Sequence, residues 1–256
     1  GLWSLTQQRA FIRQVFRLKY NGVYVCLWPQ HPFVDLQVGG IRRQTATLLF
    51  GQRIPIGPDN IGRQLLPERE ALDNPDLAGA ATYAQKLAAG QALMHGILDQ
   101  AQALGMHTAV HLQPLEFPVE FRPLLQQPTD AVIQLGGLTC AERGDLTNPG
   151  HMRLIEATID AHLEQWGRVD EFHLSFPEHP QADRQFERCW RELDARHGLE
   201  PDCSLARVLD LGARNRLIPG GLARAEREVK SSIAMLHFCD QLLARTGLRE
   251  RASDPG

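Results

Sequence analysis

Residues 170–180, Asp-Glu-Phe-His-Leu-Ser-Phe-Pro-Glu-His-Pro, place the strongest constraint on how this chain can fold. Apolar Phe172, Leu174 and Phe176 alternate with other residues, and Pro177 then interrupts the pattern. The period of two predicts a β-strand, and the proline predicts its end, because proline has no N–H to donate to a neighbouring strand. We therefore expect a strand that runs directly into polar residues.

Helical and strand patterns alternate along much of the chain. Apolar residues at helical spacing predict helices at 4–20, 78–104, 151–166, 183–197 and 222–245. Apolar runs predict two further strands, at 22–28 and 106–112, and a short one at 131–135. This alternation favours an α/β fold, and we expect a TIM-type (β/α) barrel with a long insertion after an early strand.

The number of strands leaves the completeness of that barrel open. A full barrel takes about 250 residues, but only about four strand patterns are evident among the 256 residues of this chain. Part of a barrel and an open sheet are therefore both expected outcomes. We predict one barrel-type domain over 1–248 and a disordered tail at 249–256. Within the domain, the Gly- and Pro-rich region 34–77 is predicted to be an inserted loop with some β structure of its own.

Composition and missing motifs exclude several classes of protein. The hydrophobic content of 43% and the charged content of 22% are ordinary for a globular protein, and the net charge of −3 gives no basis for binding nucleic acid or an anionic membrane. No apolar stretch of the sequence is long enough to span a membrane. Because no Gly-x-Gly-x-x-Gly motif, P-loop or Cys-x-x-Cys pair occurs, no cofactor is predicted. The compartment and the oligomeric state stay open.

Two glutamates follow predicted strands at their C-terminal ends, where α/β folds build their sites. Glu178 comes after Phe176 and Pro177, and apolar surroundings would raise the pKa of its carboxyl group towards that of a general acid. Glu116 comes after the strand at 106–112 and would face the same edge of the sheet. Two carboxylates across one pocket can hydrolyse a glycosidic bond, so both are predicted to be catalytic. The alternatives are a helix N-terminal carboxylate for Glu178 and a surface position for Glu116.

Aromatic and imidazole side chains lie near the same strand ends. Four of them are predicted to bind substrate: Trp28, His31, His111 and His179. An aromatic face beside hydrogen-bonding groups suits the apolar face of a sugar ring, whereas an ordinary core position is the alternative for each of these residues. The histidines could instead join a glutamate in a metal site. Because no His-Glu-x-x-His spacing occurs, no metal ligand is predicted.

Two segments carry a resemblance to a known family. The first runs from Asn148-Pro149 to the sequence His-Leu-Ser-Phe-Pro-Glu at 173–178, and the second contains Lys-Tyr-Asn-Gly and ends in Trp-Pro-Gln-His-Pro at 28–32. They resemble the catalytic (β/α)8 domain of glycoside hydrolases, with α-glucuronidases and β-N-acetylhexosaminidases as the nearest types. The resemblance covers roughly 8–33 and 80–198. It implies a barrel fold and an acid/base role for Glu178.

The resemblance is incomplete at one functional position. Pro177 stands where the β-N-acetylhexosaminidases have the aspartate of an Asp-Glu pair. This departure argues against the substrate-assisted cleavage of N-acetyl sugars that such a pair supports.

Three hypotheses for the function follow. In the leading one, the chain is a carbohydrate-active hydrolase of oligo- or polysaccharides, with Glu178 protonating the leaving oxygen and Glu116 activating water or stabilising an oxocarbenium-like state. The second is a non-catalytic carbohydrate-binding domain on a degenerate barrel, because few strands are evident. The third is a metal-dependent isomerase or lyase that uses the histidines. Neither nucleic acid nor a membrane is expected as a partner.

Overall fold

The structure of the chain is a computed structural model. It describes residues 2–47, 53–59, 61–125, 133–135, 138–140, 148–176, 185–214 and 221–248. The chain divides into two compact units. The sheet unit comprises 1–122, 134–139 and 158–175, and the helical unit comprises 123–133, 140–157 and 176–256.

Helices and short strands alternate through the sheet unit, and helices follow one another in the helical unit. The α-helices are α1 (Leu5–Arg17), α2 (Ile61–Leu65), α3 (Tyr83–Ala103), α4 (Pro149–Trp166), α5 (Phe186–His197), α6 (Leu205–Ala213) and α7 (Leu222–Thr246), and a 3₁₀ helix spans Val119–Leu125. The strands are β1 (Gly22–Leu27), β2 (Gln37–Val38), β3 (Ile41–Arg42), β4 (Arg53–Pro55), β5 (Ala71–Asp73), β6 (His107–Leu112), β7 (Glu116–Pro118), β8 (Ile133–Leu135), β9 (Leu138–Cys140) and β10 (Glu171–Leu174). No helix in the described part of the chain combines the length and the apolar character needed to cross a membrane.

A parallel sheet of three strands, in the order β1–β6–β10, is the centre of the sheet unit. Leu27 at the end of β1 pairs with Leu112 at the end of β6, and Leu112 pairs with Leu174 at the end of β10. The carboxyl ends of the three strands therefore lie level at one edge of the sheet. Helix α3 connects β1 to β6, and α4 lies between β6 and β10 in the chain, as parallel strands require a crossover.

One face of this sheet is apolar and packed. The row Val25, Val110 and Phe172 crosses all three strands, and these residues join a core that is completed by apolar side chains from α1, α3 and α4. Leu98 and Trp166, each with an exposed fraction of 0%, are among the most deeply buried members of that core. Side chains alternate between the two faces of a strand. The residues next to Val25, Val110 and Phe172 in their strands therefore point to the other face.

Helix α3 packs very closely against two other segments of the sheet unit. Thr82 caps its N-terminus by accepting from the backbone N–H of Gln85, and the side chain of Gln85 accepts from the backbone N–H of Thr82 in return. A Cβ atom at Gly90 would overlap the carbonyl oxygen of Pro32, and one at Gly96 would lie 2.6 Å from both methyl carbons of Leu5. Glycine at 90 therefore lets the helix approach the turn that follows β1.

The insertion between β1 and α3 contains β structure of its own, as predicted. Strands β2 and β3 pair antiparallel around Gly39 and Gly40, whose φ angles of 57° and 79° are in the left-handed region that favours glycine. Strand β4 pairs antiparallel with β5. Strands β7, β9 and β8, in that order, form a further small sheet.

Polar contacts between helices characterise the helical unit. Nε2 of His237 on α7 lies 2.6 Å from a carboxylate oxygen of Glu192 on α5. Asp240 on α7 accepts from Arg196 at 2.7 Å, and its other oxygen lies 3.0 Å from Nε2 of His197. Gly212 on α6 leaves no room for a Cβ beside the side chain of Val229 on α7. These contacts join α5 and α6 to α7.

The prediction of a TIM-type barrel is wrong. The described residues contain a three-stranded parallel sheet and short antiparallel pairs, and no closed barrel. A barrel closes by pairing its last strand with its first. The described residues that follow β10 form the helices α5, α6 and α7, so they provide no strand for closure. Within the described residues the fold is mixed α/β, and its parallel sheet is open, which was the other expected outcome.

Candidate active site

The level carboxyl ends of β1, β6 and β10 bring several predicted site residues to the sheet unit's edge. Trp28 and His31 follow β1 in a tight turn, and Glu116 begins β7 shortly after β6 ends. Glu178 and His179 lie outside the described residues, so their roles stay predictions.

The turn after β1 is held by the side chain of His31. The backbone N–H of Trp28 donates to Nδ1 of His31 at 3.3 Å, and the backbone N–H of His31 donates to the carbonyl of Trp28 at 2.9 Å. His31 is buried, with an exposed fraction of 6%. Burial, together with the positive charge of Arg43, lowers the pKa of His31 to about 3. The ring is therefore neutral at physiological pH and shapes the turn.

Arg43 is a buried cation in the insertion that follows this turn. Its side chain donates to three backbone carbonyls: those of Thr45 at 2.9 Å, Val34 at 2.7 Å and His31. Only 3% of Arg43 is exposed, and burial lowers the pKa of its guanidinium group. No carboxylate of the described residues forms an ion pair with it. The guanidinium therefore fixes the loop through carbonyl groups and keeps its charge inside the protein.

Glu120 anchors the same loop from the 3₁₀ helix. Its carboxylate accepts from the backbone N–H groups of Gln44 at 2.6 Å and Thr45 at 2.7 Å, and from the hydroxyl of Thr45 at 2.8 Å. Burial works against the charged form, but these hydrogen bonds outweigh it and lower the pKa of Glu120. The position of Arg43 is thereby tied to the segment that begins with Glu116.

Glu116 is the predicted catalytic residue that the structure describes. The side-chain amide of Gln113, turned so that its NH₂ faces the carboxylate, donates to both oxygens of Glu116 at 2.5 and 2.6 Å. Glu116 is partly exposed and lines a pocket. Its carboxylate is therefore held in one orientation at the edge of the sheet.

His162 on α4 faces the same pocket. Its Nδ1 lies 2.7 Å from the backbone carbonyl of Thr158, which can only accept, so Nδ1 carries the proton and Nε2 has the free lone pair. Burial is the main cause that lowers the pKa of His162 to about 4, and the positive charge of Arg43 contributes. At physiological pH the ring is neutral, and Nε2 is a hydrogen-bond acceptor.

These side chains enclose what we call the Arg43 pocket. Its polar lining consists of Arg43, Glu116, Thr158 and His162, and its apolar lining consists of Pro29, Val34, Leu36 and Pro118. The space at its centre is about that of one water molecule. All of these residues belong to the sheet unit. The pocket therefore combines a cationic donor, a neutral acceptor and a carboxylate around a space that fits one small group.

The face of the sheet opposite the apolar core carries a second cluster of side chains. We call this face of the sheet the open face. The ring of Tyr24 lies 5.6 Å from that of His111 and 5.0 Å from that of His173, measured between centroids. Glu171 bridges two imidazoles, since its oxygens lie 2.8 Å from Nε2 of His173 and 3.2 Å from Nε2 of His107. The hydrogen bond from His173 is the largest cause that lowers the pKa of Glu171. His111, predicted to bind substrate, belongs to this cluster and not to the lining of the Arg43 pocket.

Sequence reasoning missed Arg43 and His162. Arg43 lies in the Gly- and Pro-rich insertion, where no periodic pattern marks a buried position. His162 continues the apolar series Ile155, Ile159 and Trp166 at helical spacing on α4. The position of His162 on the apolar face of a predicted helix was therefore the signal in the sequence that could have indicated a buried imidazole.

Comparisons with known proteins assign no family. Neither the family models, nor the curated proteins, nor the solved structures contain a match to this chain. Among the described residues, no three histidine, cysteine, aspartate or glutamate side chains are placed to hold a metal ion together. Any proposal for the function therefore depends on the geometry of the site.

Proposed function

We propose that this chain is a carbohydrate-active hydrolase that cleaves glycosidic bonds with carboxylate side chains. The observation that best supports this proposal is the position of Glu116 in a pocket that offers both hydrogen-bond donors and acceptors. Sugar hydroxyl groups also donate and accept, so this lining suits them better than it suits an apolar ligand.

Glu116 is the base or nucleophile in this proposal. Catalysis requires a carboxylate within hydrogen-bond reach of the reacting group and held there. Both oxygens of Glu116 accept from the amide of Gln113, at 2.5 and 2.6 Å, which limits rotation of the carboxylate. The partial exposure of Glu116 leaves it accessible to a substrate at the edge of the sheet.

Glu178 is the proposed general acid. It follows Leu174, the last residue of β10, by four positions in the sequence, and β10 ends level with β6. This assignment rests on the sequence, since Glu178 lies outside the described residues. The partly buried Trp28, in the turn after β1, is the candidate surface for the apolar face of a sugar ring.

A carbohydrate-binding domain without catalytic activity is the second candidate. One observation favours it: among the described residues that line the Arg43 pocket, Glu116 is the single carboxylate. Hydrolysis by a pair of carboxylates needs a second one on the opposite side of the bond. Glu178 therefore decides between the two candidates.

Hydrolysis of a panel of aryl glycosides of neutral, uronic and N-acetyl sugars tests the proposal. For a substrate that the chain turns over, we expect Glu116→Gln and Glu178→Gln each to lower kcat by about 10²–10⁴-fold, the usual contribution of an acid or base. Glu164→Gln, a change at an exposed position on α4, is the matched control and should keep kcat unchanged. Sugar binding without turnover by the unaltered chain would favour the binding domain, and full activity in both carboxylate variants would contradict the assignment.

A further inference from the structure

We propose that the Arg43 pocket is a subsite for one hydroxyl group of the sugar, and that His162 is the residue that selects for it. This inference rests on the proposed function and names the part of the substrate that the pocket recognises. It concerns specificity and assigns His162 no chemical step.

The donor in the pocket is the guanidinium group of Arg43. A guanidinium carries five N–H donors, and three of those of Arg43 bind the carbonyls of Thr45, Val34 and His31. Two N–H donors are left over after the hydrogen bonds formed with the described residues. The guanidinium is almost completely buried, so an acceptor that enters the pocket would bind it without competition from bulk solvent.

The acceptors are Nε2 of His162 and the carboxylate of Glu116. The hydrogen bond from Nδ1 of His162 to the carbonyl of Thr158, at 2.7 Å, fixes the tautomer in which Nε2 accepts. His162 has an exposed fraction of 6%, and burial keeps its ring neutral at physiological pH. Nε2 therefore offers a lone pair to a donor inside the pocket.

A hydroxyl group matches this lining better than any charged group. A carboxylate or phosphate would be repelled by Glu116 and has no proton to donate to His162, and an ammonium group would be repelled by Arg43. A hydroxyl can accept from Arg43 while it donates to His162 or Glu116. Its size also agrees with a space of about one water molecule.

The apolar part of the lining adds a steric requirement. The apolar side chains of the lining, which suit the carbon atom that carries the hydroxyl, are those of Pro29, Val34, Leu36 and Pro118. A sugar that lacks this one hydroxyl would leave the buried Arg43 and His162 groups unpaired, and sites of this kind discriminate strongly against such analogues. We therefore expect a loss of binding of about tenfold or more for one particular monodeoxy sugar.

Nitrogen NMR of the full chain labelled with ¹⁵N-histidine and ¹⁵N-tryptophan tests the inference. The probes are the methyl glycosides of glucose, galactose, mannose and xylose, each compared with its monodeoxy analogues. His162→Gln assigns the His162 signals, and His107→Gln, at the amino end of β6, is the matched control that should leave binding unchanged. We expect a binding sugar to shift Nε2 of His162, and the analogue without the recognised hydroxyl to lose the shift and bind at least about tenfold more weakly.

The remaining outcomes separate this inference from the proposed function. A sugar that shifts the indole signal of Trp28 but leaves Nε2 of His162 unchanged would overturn the hydroxyl subsite and leave the hydrolase proposal standing. Equal binding of a sugar and all of its monodeoxy analogues would also overturn the hydroxyl subsite and leave the hydrolase proposal standing. If none of the four sugars shifts either signal, the hydroxyl subsite fails, and the hydrolysis of the wider panel of aryl glycosides decides the hydrolase proposal separately. If His162→Gln does not fold, the binding strengths of each sugar and its monodeoxy analogues to the unaltered chain still decide, because equal binding overturns the hydroxyl subsite without any assigned signal.

Discussion

The two faces of the parallel sheet carry different kinds of residues. On the packed face, Val110 and the neighbouring core residue Leu98 each have an exposed fraction of 0%. On the open face, Tyr24 is 51% exposed, and the side chains of Glu171 and His173 are 52% and 44% exposed. Helices cover the first face, whereas the second presents rings and charges to its surroundings.

This difference shows how the sheet departs from the usual pattern. Parallel strands are normally buried on both faces and carry nearly continuous apolar runs. Here the apolar residues alternate with Tyr24, His111 and His173. An apolar layer over the open face would therefore leave the polar atoms of these side chains buried without hydrogen-bond partners. The stability of the sheet unit is therefore expected to depend on the packed face, with little contribution from the open one.

The largest effect should come from a cavity on the packed side. We expect Leu98→Ala to lower the free energy of unfolding by about 3 kcal/mol, because it removes a completely buried side chain from the core on α3. Tyr24→Ala removes a larger side chain from the open face and should cost less than about 1 kcal/mol. Urea unfolding of both variants checks the comparison. Equal losses would mean that the open face also stabilises the fold.

A smaller effect, about 2 kcal/mol of destabilisation, is expected for Gly90→Ala. Alanine ordinarily stabilises a helix interior relative to glycine by about 1 kcal/mol, but here the new Cβ would meet the backbone of Pro32. Gly96→Ala is the matched control on the same helix, because its Cβ would meet the flexible end of Leu5. Its stability should change by less than about 1 kcal/mol in the same urea experiment. If Gly90→Ala proved as stable as Gly96→Ala, the close approach of α3 to the turn after β1 would be refuted.

The pH dependence of stability should reveal two buried histidines of the sheet unit, His31 and His162. The pKa values of His31 and His162 fall to about 3 and about 4 in the folded chain, below the ordinary 6.5. Their contribution is therefore fully present above pH 6.5 and is lost as the pH falls towards 4 and 3, because the unfolded chain binds protons first. Each histidine adds a slope of up to about 1.4 kcal/mol per pH unit in this window.

Removing one histidine measures how much that residue contributes to the change of the unfolding free energy with pH. We expect His162→Gln to reduce the loss of stability between pH 7 and pH 5, as measured by urea unfolding at each pH. Leu98→Ala removes no titratable group, so it should lower stability by a similar amount at both values. An unchanged slope in His162→Gln would mean that this imidazole titrates normally in the folded chain.

The strand predictions succeeded where the pattern was local. The runs at 22–28 and 106–112 and the alternation at Phe172 and Leu174 correspond to β1, β6 and β10. The barrel prediction failed because barrel closure depends on the number of strands, and helix–strand alternation in part of a chain does not determine that number. Between the helices predicted at 183–197 and 222–245, the described residues contain α6 (Leu205–Ala213) and no strand.

The sequence alone located the three parallel strands. It also indicated the packed face of β10, because the alternation of Phe172 and Leu174 with His173 is a property of consecutive residues. The apolar runs of β1 and β6 did not predict that one of their faces is open. The sequence also placed Glu116 beyond the end of β6. The tertiary structure alone decided that Arg43, Glu116 and His162 share one pocket. They come from an inserted loop, a short strand and a helix, and their proximity depends on how α4 and the loop pack, which no local pattern encodes.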